Sequence, residues 1–142
     1  MGYRSEVKIV AGRKAADEIR TILAENDSQL TEIGTNDQGE TLFAADWAKW
    51  YEDCADEFPD VDAIMTVVDK YVYEIPNQQV NELHVDQGME YCRVGESDDD
   101  TDYRSNGAGG GYLSVGIRVH DEGGFKAPRT PKPKTVAKAK KK

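Results

Sequence analysis

Ser5-Glu6-Val7-Lys8-Ile9-Val10-Ala11-Gly12-Arg13-Lys14-Ala15-Ala16-Asp17-Glu18-Ile19-Arg20-Thr21-Ile22-Leu23-Ala24-Glu25-Asn26 changes its hydrophobic period partway along. Up to Ala11, Val7, Ile9 and Ala11 fall on one face and Glu6 and Lys8 on the other, the period of two of a half-buried strand. Beyond Gly12, Ala15, Ala16, Ile19, Ile22 and Leu23 recur at threes and fours, leaving Asp17, Glu18, Arg20, Thr21 and Glu25 for water. A strand followed at once by an amphipathic helix sets the class: a sheet with helices packed on it. Asn26-Asp27-Ser28 supplies turn chemistry, and the β-like runs Leu30–Gly34 and Glu40 to about Tyr51 flank Asn36-Asp37-Gln38-Gly39, a hairpin with a short loop.

Working outward, the run from Leu42 to Tyr51 mixes aromatics with alanines and reads as a strand. Phe43, Ala45, Trp47, Lys49 and Tyr51 then share one face, and Leu42, Ala44, Asp46, Ala48 and Trp50 the other. A second helix starts at Pro59, with Asp60 and Asp62 at the positive end of its dipole and Val61, Ile64, Met65, Val68, Tyr71 and Val72 as its apolar stripe. It is expected to stop by Ile75-Pro76, because a residue before proline is pushed from helical geometry. Asn77 to Gln87 reads as a connection, and Met89–Val94 and Tyr112–Val119 as two further strands. In the last, Leu113, Val115, Ile117 and Val119 point inward and Ser114, Gly116, Arg118 and His120 outward, with a long polar loop before it. The order β-α-β-β-α-β-β predicts an α+β two-layer sandwich, a mostly antiparallel sheet with two helices on one face.

Charge divides the chain. Residues 1–124 hold ten Lys/Arg and all 27 Asp/Glu, a net charge of −17, whereas the eight basic residues Lys126, Arg129, Lys132, Lys134, Lys138, Lys140, Lys141 and Lys142 follow without one acid. The expectation is an acidic domain over 1–124 and a disordered Lys/Ala/Pro segment over 125–142 with almost nothing to bury. A body of that length buries about two-thirds of its unfolded surface around one core. No apolar run nears the ~20 residues of a membrane span. The opening lacks the apolar stretch of an export signal, which predicts a cytoplasmic protein. Cys54 and Cys92, distant and outside any CxxC pair, read as two thiols.

Chemistry-bearing motifs are few. Asp98-Asp99-Asp100-Thr101-Asp102 fails the EF-hand pattern, because its sixth and twelfth positions are Tyr103 and Gly109. It reads as a solvated acidic loop, with a looser divalent-cation site as the alternative. Asn106-Gly107-Ala108-Gly109-Gly110-Gly111 has no Lys-Ser/Thr and no helix after it, so it reads as a hairpin connection rather than a phosphate cradle. The histidines, His84 and His120, sit in no nucleophile motif. Neither a catalytic set nor a cofactor or metal is expected. The richest surface candidate is Glu40 to Asp62, where eight acids and one base, Lys49, interleave with Trp47, Trp50, Tyr51 and Phe58. Carboxylates around exposed aromatics can imitate phosphates and bases and occupy a basic groove. Buried in a core instead, the aromatics would leave the acids as a solubilising surface.

Met1-Gly2-Tyr3-Arg4-Ser5, the segment Trp47-Ala48-Lys49-Trp50-Tyr51 and the helix entry Phe58-Pro59-Asp60-Val61 carry a resemblance. The chain resembles small proteins encoded mainly by bacteriophages and prophages that open M-G-Y-R-S and carry W-x-K-W-Y and F-P-[DE]-V segments. No shared activity travels with that likeness, which implies a phage accessory protein. The first expectation is a non-enzymatic protein that binds a host protein through Asp46, Trp47, Trp50, Glu52, Asp53, Asp56 and Glu57. The alternative is a nucleic-acid-associated protein whose basic end supplies salt-sensitive affinity, and a small enzyme is a third. No membrane partner is expected.

Overall fold

The computed structural model describes residues 3–52, 54–78, 84–97, 99–108, 111–115, 119–121 and 124–125. Strand β1 (Ser5–Ala11) is the centre of a five-stranded sheet and leads through Gly12 into helix α1 (Arg13–Glu25). Strands β2 (Thr31–Thr35), β3 (Thr41–Ala48), β4 (Met89–Gly95) and β5 (Thr101–Ser105) complete the sheet in the order β2-β3-β1-β4-β5, every described pairing antiparallel. Helix α2 (Pro59–Asp69) lies beside α1 on one face. The expected α+β sheet with two helices on one face is the fold observed.

The main core lies between that face and the helices. Val7, Ile9 and Ala11 of β1, Phe43 and Ala45 of β3, and Met89 and Tyr91 of β4 meet Ala15, Ala16 and Ile19 of α1 and Val61, Ile64 and Val68 of α2. Alanines at 15 and 16 let α1 approach the sheet closely. Its entry is tight as well, since a Cβ on Gly12 would sit 2.3 Å from the Val85 carbonyl oxygen. The Gly12 N–H donates to Gly88 O at 2.9 Å, pinning the strand-to-helix turn to the start of β4.

The structure corrects four readings. Helix α2 does not end before Pro76: a π-helical turn (Lys70–Glu74) continues it into a short helix α3 (Ile75–Gln78). The Ile75 N–H bonds back five residues to Lys70 O, and the Tyr71 carbonyl, five residues before Pro76, accepts instead from Asn106 Nδ2 at 3.1 Å. The wider turn thus accommodates a proline that an α-helical ladder would exclude.

The polar loop expected after Val94 contains strand β5. Asp102 and Arg104 face the helices, where ion pairs satisfy them, while Thr101 and Tyr103 face the other way. Composition concealed the strand because its polar side chains find partners only across the sheet. Tyr112–Val119 is likewise two strands, β6 (Leu113–Val115) and β7 (Val119–Asp121), paired as a ribbon. Residues 116–118 and the side chains of Val115, Val119 and His120 fall outside the described set. The ribbon packs on the sheet face opposite the helices, where Leu113 joins Val10, Leu42, Cys92 and Val94, flanked by Tyr112 and Phe125.

Candidate functional site

The fourth correction creates the site. Pairing of β1 with β3 slips between Ser5↔Ala48 and Val7↔Ala45, so Asp46 and Trp47 together oppose Glu6 in a β-bulge. One extra residue reverses the phase of every side chain beyond it. Ala48 and Trp50 therefore join Phe43 and Ala45 in the main core, rather than sharing a face with Leu42 and Ala44. Trp50 is 5 % exposed and is no surface residue, whereas Trp47 is 61 % exposed. Trp47 is also the only described non-glycine residue at positive φ, +57°. That left-handed conformation costs a Cβ-bearing residue on the order of 1–2 kcal/mol, a strain characteristic of positions held for function.

The surroundings of Trp47 are tied down. Arg4 Nη1 donates to the Trp47 carbonyl at 3.2 Å, and the Arg4 N–H donates to the Glu96 carboxylate. Tyr3 Oη donates to Asp100 Oδ2 at 2.7 Å and accepts from Ser97 N at 2.9 Å, while its carbonyl accepts from Tyr51 Oη at 3.2 Å. Arg93 clasps Asp100 with two bonds of 2.8 and 3.0 Å, and those bonds, with Tyr3's, hold the Asp100 carboxyl down at about 2. The result is a platform at one end of the sheet, with Trp47 outward and Asp46, Glu96 and Asp99 exposed around a shallow recess formed by Arg4, Ser5, Glu6, Val94 and Gly95. Tyr3, Arg4, Glu96 and Asp99 were not among the expected contacts; their signal is three-dimensional, since the first strand and the β4–β5 turn converge only in the fold.

The other expected contacts are dispersed. Glu52 is drawn to Arg104 Nη2, at 2.9 Å, and the same guanidinium holds Asp69 (2.8 Å) and Asp102 (2.7 Å) and lies 5.3 Å from the centre of the Tyr91 ring. Glu52 is therefore structural. Asp56 and Glu57 are exposed on a turn closed by Phe58 N to Cys54 O at 2.7 Å, and Tyr51 packs edge-on against Phe58. Asp60, counted among the acids of this stretch, is buried and accepts from Ser28 Oγ at 2.7 Å. Asp53 and the eight basic residues from Lys126 to Lys142 lie outside the described residues, as does Asp98.

Asp100 and Asp102 are taken by Arg93 and Arg104, so the acid run is not a free loop. Among the described residues no group of three or more His, Cys, Asp or Glu side chains is arranged to hold a metal ion. No described helix is long and apolar enough to cross a membrane.

Compared with protein-family models, with curated proteins and with solved structures, the chain matches none. The functional reading therefore rests on the geometry of the platform itself.

Proposed function

We propose that the protein is a non-enzymatic binding protein that inserts Trp47 into a recess on a partner whose surrounding surface is basic. The observation that carries this is a tryptophan 61 % exposed and held at φ +57° in a bulge, where glycine would be easier. A large rigid aromatic spends little conformational entropy on docking and is the side chain most often found at the energetic centre of protein interfaces. Asp46, Glu96 and Asp99 around it supply negative potential that steers a basic partner and repels an acidic one. The phage-like segments support a host protein as the partner and the host cytoplasm as the place of action.

The test is capture from bacterial lysate with the wild type and with Trp47→Ser, Asp46→Asn and Trp50→Phe. A partner retained by the wild type should be lost with Trp47→Ser and weakened, in a salt-dependent way, with Asp46→Asn. Trp50→Phe should leave capture unchanged, and equal recovery by all four proteins refutes the platform.

A second reading rests on the eight positive charges after Gly124, which can neutralise about eight phosphates and give salt-sensitive, sequence-independent nucleic-acid binding. Replacing all eight by glutamine should then abolish a low-salt DNA mobility shift.

A further inference from the structure

On the face opposite the helices lies a cavity of about 290 Å³ that no reading above uses. Its wall includes Val10, Glu40, Met89, Glu90, Tyr103 and Ser105, and it is closed in part by the backbone of Gly107 and Gly111. Glu40 and Glu90 are only 2 % and 5 % exposed. Two carboxylates at such depth require compensation, since an ionised group removed from water costs several kcal/mol unless paired or hydrogen-bonded.

The compensation found is made of neutral donors. Glu90 accepts from Tyr103 Oη at 2.6 Å, from Tyr112 N at 2.8 Å and from Leu113 N at 3.2 Å. Glu40 accepts from Tyr112 Oη at 2.7 Å and from Asn36 Nδ2 at 3.2 Å. Tyr112 thus bridges the two, its backbone on one carboxylate and its hydroxyl on the other. These hydrogen bonds hold both tyrosine hydroxyls protonated, Tyr103 with burial as the larger cause and pushed up to about 12, Tyr112 raised chiefly by Glu40. A carboxylate offers about four acceptor positions, so each retains capacity after these donors. Among the described residues no Lys, Arg or His forms an ion pair with either carboxylate.

We infer that this cavity binds a small organic cation, an alkylammonium or guanidinium head on a short apolar stem. The head lies against Glu90 and Glu40 and the stem against Val10 and the ring of Tyr103. Size, charge and lining agree: the volume stands at the small end of ligand pockets, about 300–1,000 Å³, and an apolar wall of Val10 and the Tyr103 ring adjoins the two carboxylates. A hydrated divalent ion would leave that apolar wall unused. An anion would meet two buried negative charges.

The experiment uses the full chain and the probes n-butylguanidinium and n-butylammonium, with n-butanol and magnesium as controls, followed by calorimetry and by the amide NMR signals of Tyr112 and Leu113. Expected is saturable one-to-one binding of both cations that shifts those two amides, with no response to butanol and only weak, unsaturated heats from magnesium. Glu90→Gln should weaken binding at least 10-fold. Ser105→Leu, which fills the cavity without altering charge, should abolish it, and remains informative if Glu90→Gln fails to fold. Asp56→Asn/Glu57→Gln, which removes two exposed charges elsewhere, should leave the affinity unchanged. Equal weakening by that pair and by Glu90→Gln, or binding that survives Ser105→Leu, would show general attraction to an acidic body and overturn the inference.

Discussion

If the bulge holds Trp47 in the left-handed region, glycine should be a better residue there than alanine, against the usual order in a strand. Comparing Trp47→Gly with Trp47→Ala removes the same indole from both proteins, so the lost partial burial cancels and only the backbone preference remains. At φ +57° the alanine Cβ costs about 1–2 kcal/mol. Against this, glycine surrenders about 0.5–1 kcal/mol more chain entropy on folding. The net expectation is about 0.7 kcal/mol in favour of glycine.

Ala44→Gly, in the same strand before the bulge, provides the control and should destabilise by at least 0.5 kcal/mol, in line with the ordinary strand penalty of about 0.5–1 kcal/mol. Urea unfolding followed by fluorescence suits the measurement, because each Trp47 variant leaves Trp50, buried in the core, as the sole reporter. With slopes of about 1–3 kcal/mol per molar urea, the midpoints of the two Trp47 variants should differ by roughly 0.2–0.7 M. If alanine at 47 proves as superior to glycine as it is at 44, the left-handed bulge is absent in solution and the argument for a deliberately presented tryptophan fails.

Three further outcomes follow from the same geometry. Arg104→Leu strands Glu52, Asp69 and Asp102 around Tyr91 without a cation and should cost about 2–3 kcal/mol, reduced from the 3–5 of a fully buried pair because the carboxylates stay partly wetted; denaturant unfolding at pH 7 measures the loss. Asp100 has a folded-state pKa of about 2, below its ordinary 3.8, so its contribution is complete above about pH 4 and is lost as the pH falls toward 2. Asp100→Asn should accordingly be less stable at neutral pH and show a shallower loss between pH 4 and 2. Finally, Cys54 is exposed whereas burial pushes the Cys92 thiol up to about 11; a thiol reagent at pH 8 should titrate one equivalent rapidly in the native protein and two in denaturant.

Much of the architecture was legible because hydrophobic period and turn chemistry are local. The strand-to-helix change at Gly12, the hairpin around Asn36–Gly39 and the start of α2 at Pro59 each announce themselves within a few residues. The candidate site was legible only in part. The stretch from Asp46 to Glu57 contains the exposed Trp47 of the platform, but Trp47 and Trp50 had to be separated, and neither residue carries a mark that says which is core. Glu90 had a faint signal, a carboxylate in register with Cys92 and Val94 on an otherwise apolar face. Arg104 had none, because its three acids come from the loop before α2, from α2 itself and from its own strand.

Sequence alone thus determined the class of fold, the order of its first elements and the separation of an acidic body from a basic end, since periodicity and charge are summed along the chain. Tertiary structure decided the bulge that turns Trp47 outward, the strand hidden in a polar run, the passage of a helix through proline and the burial of Glu40 beside a cavity. Those depend on register between strands, where a single added residue exchanges the two faces, and on partners that become neighbours only after the chain has folded.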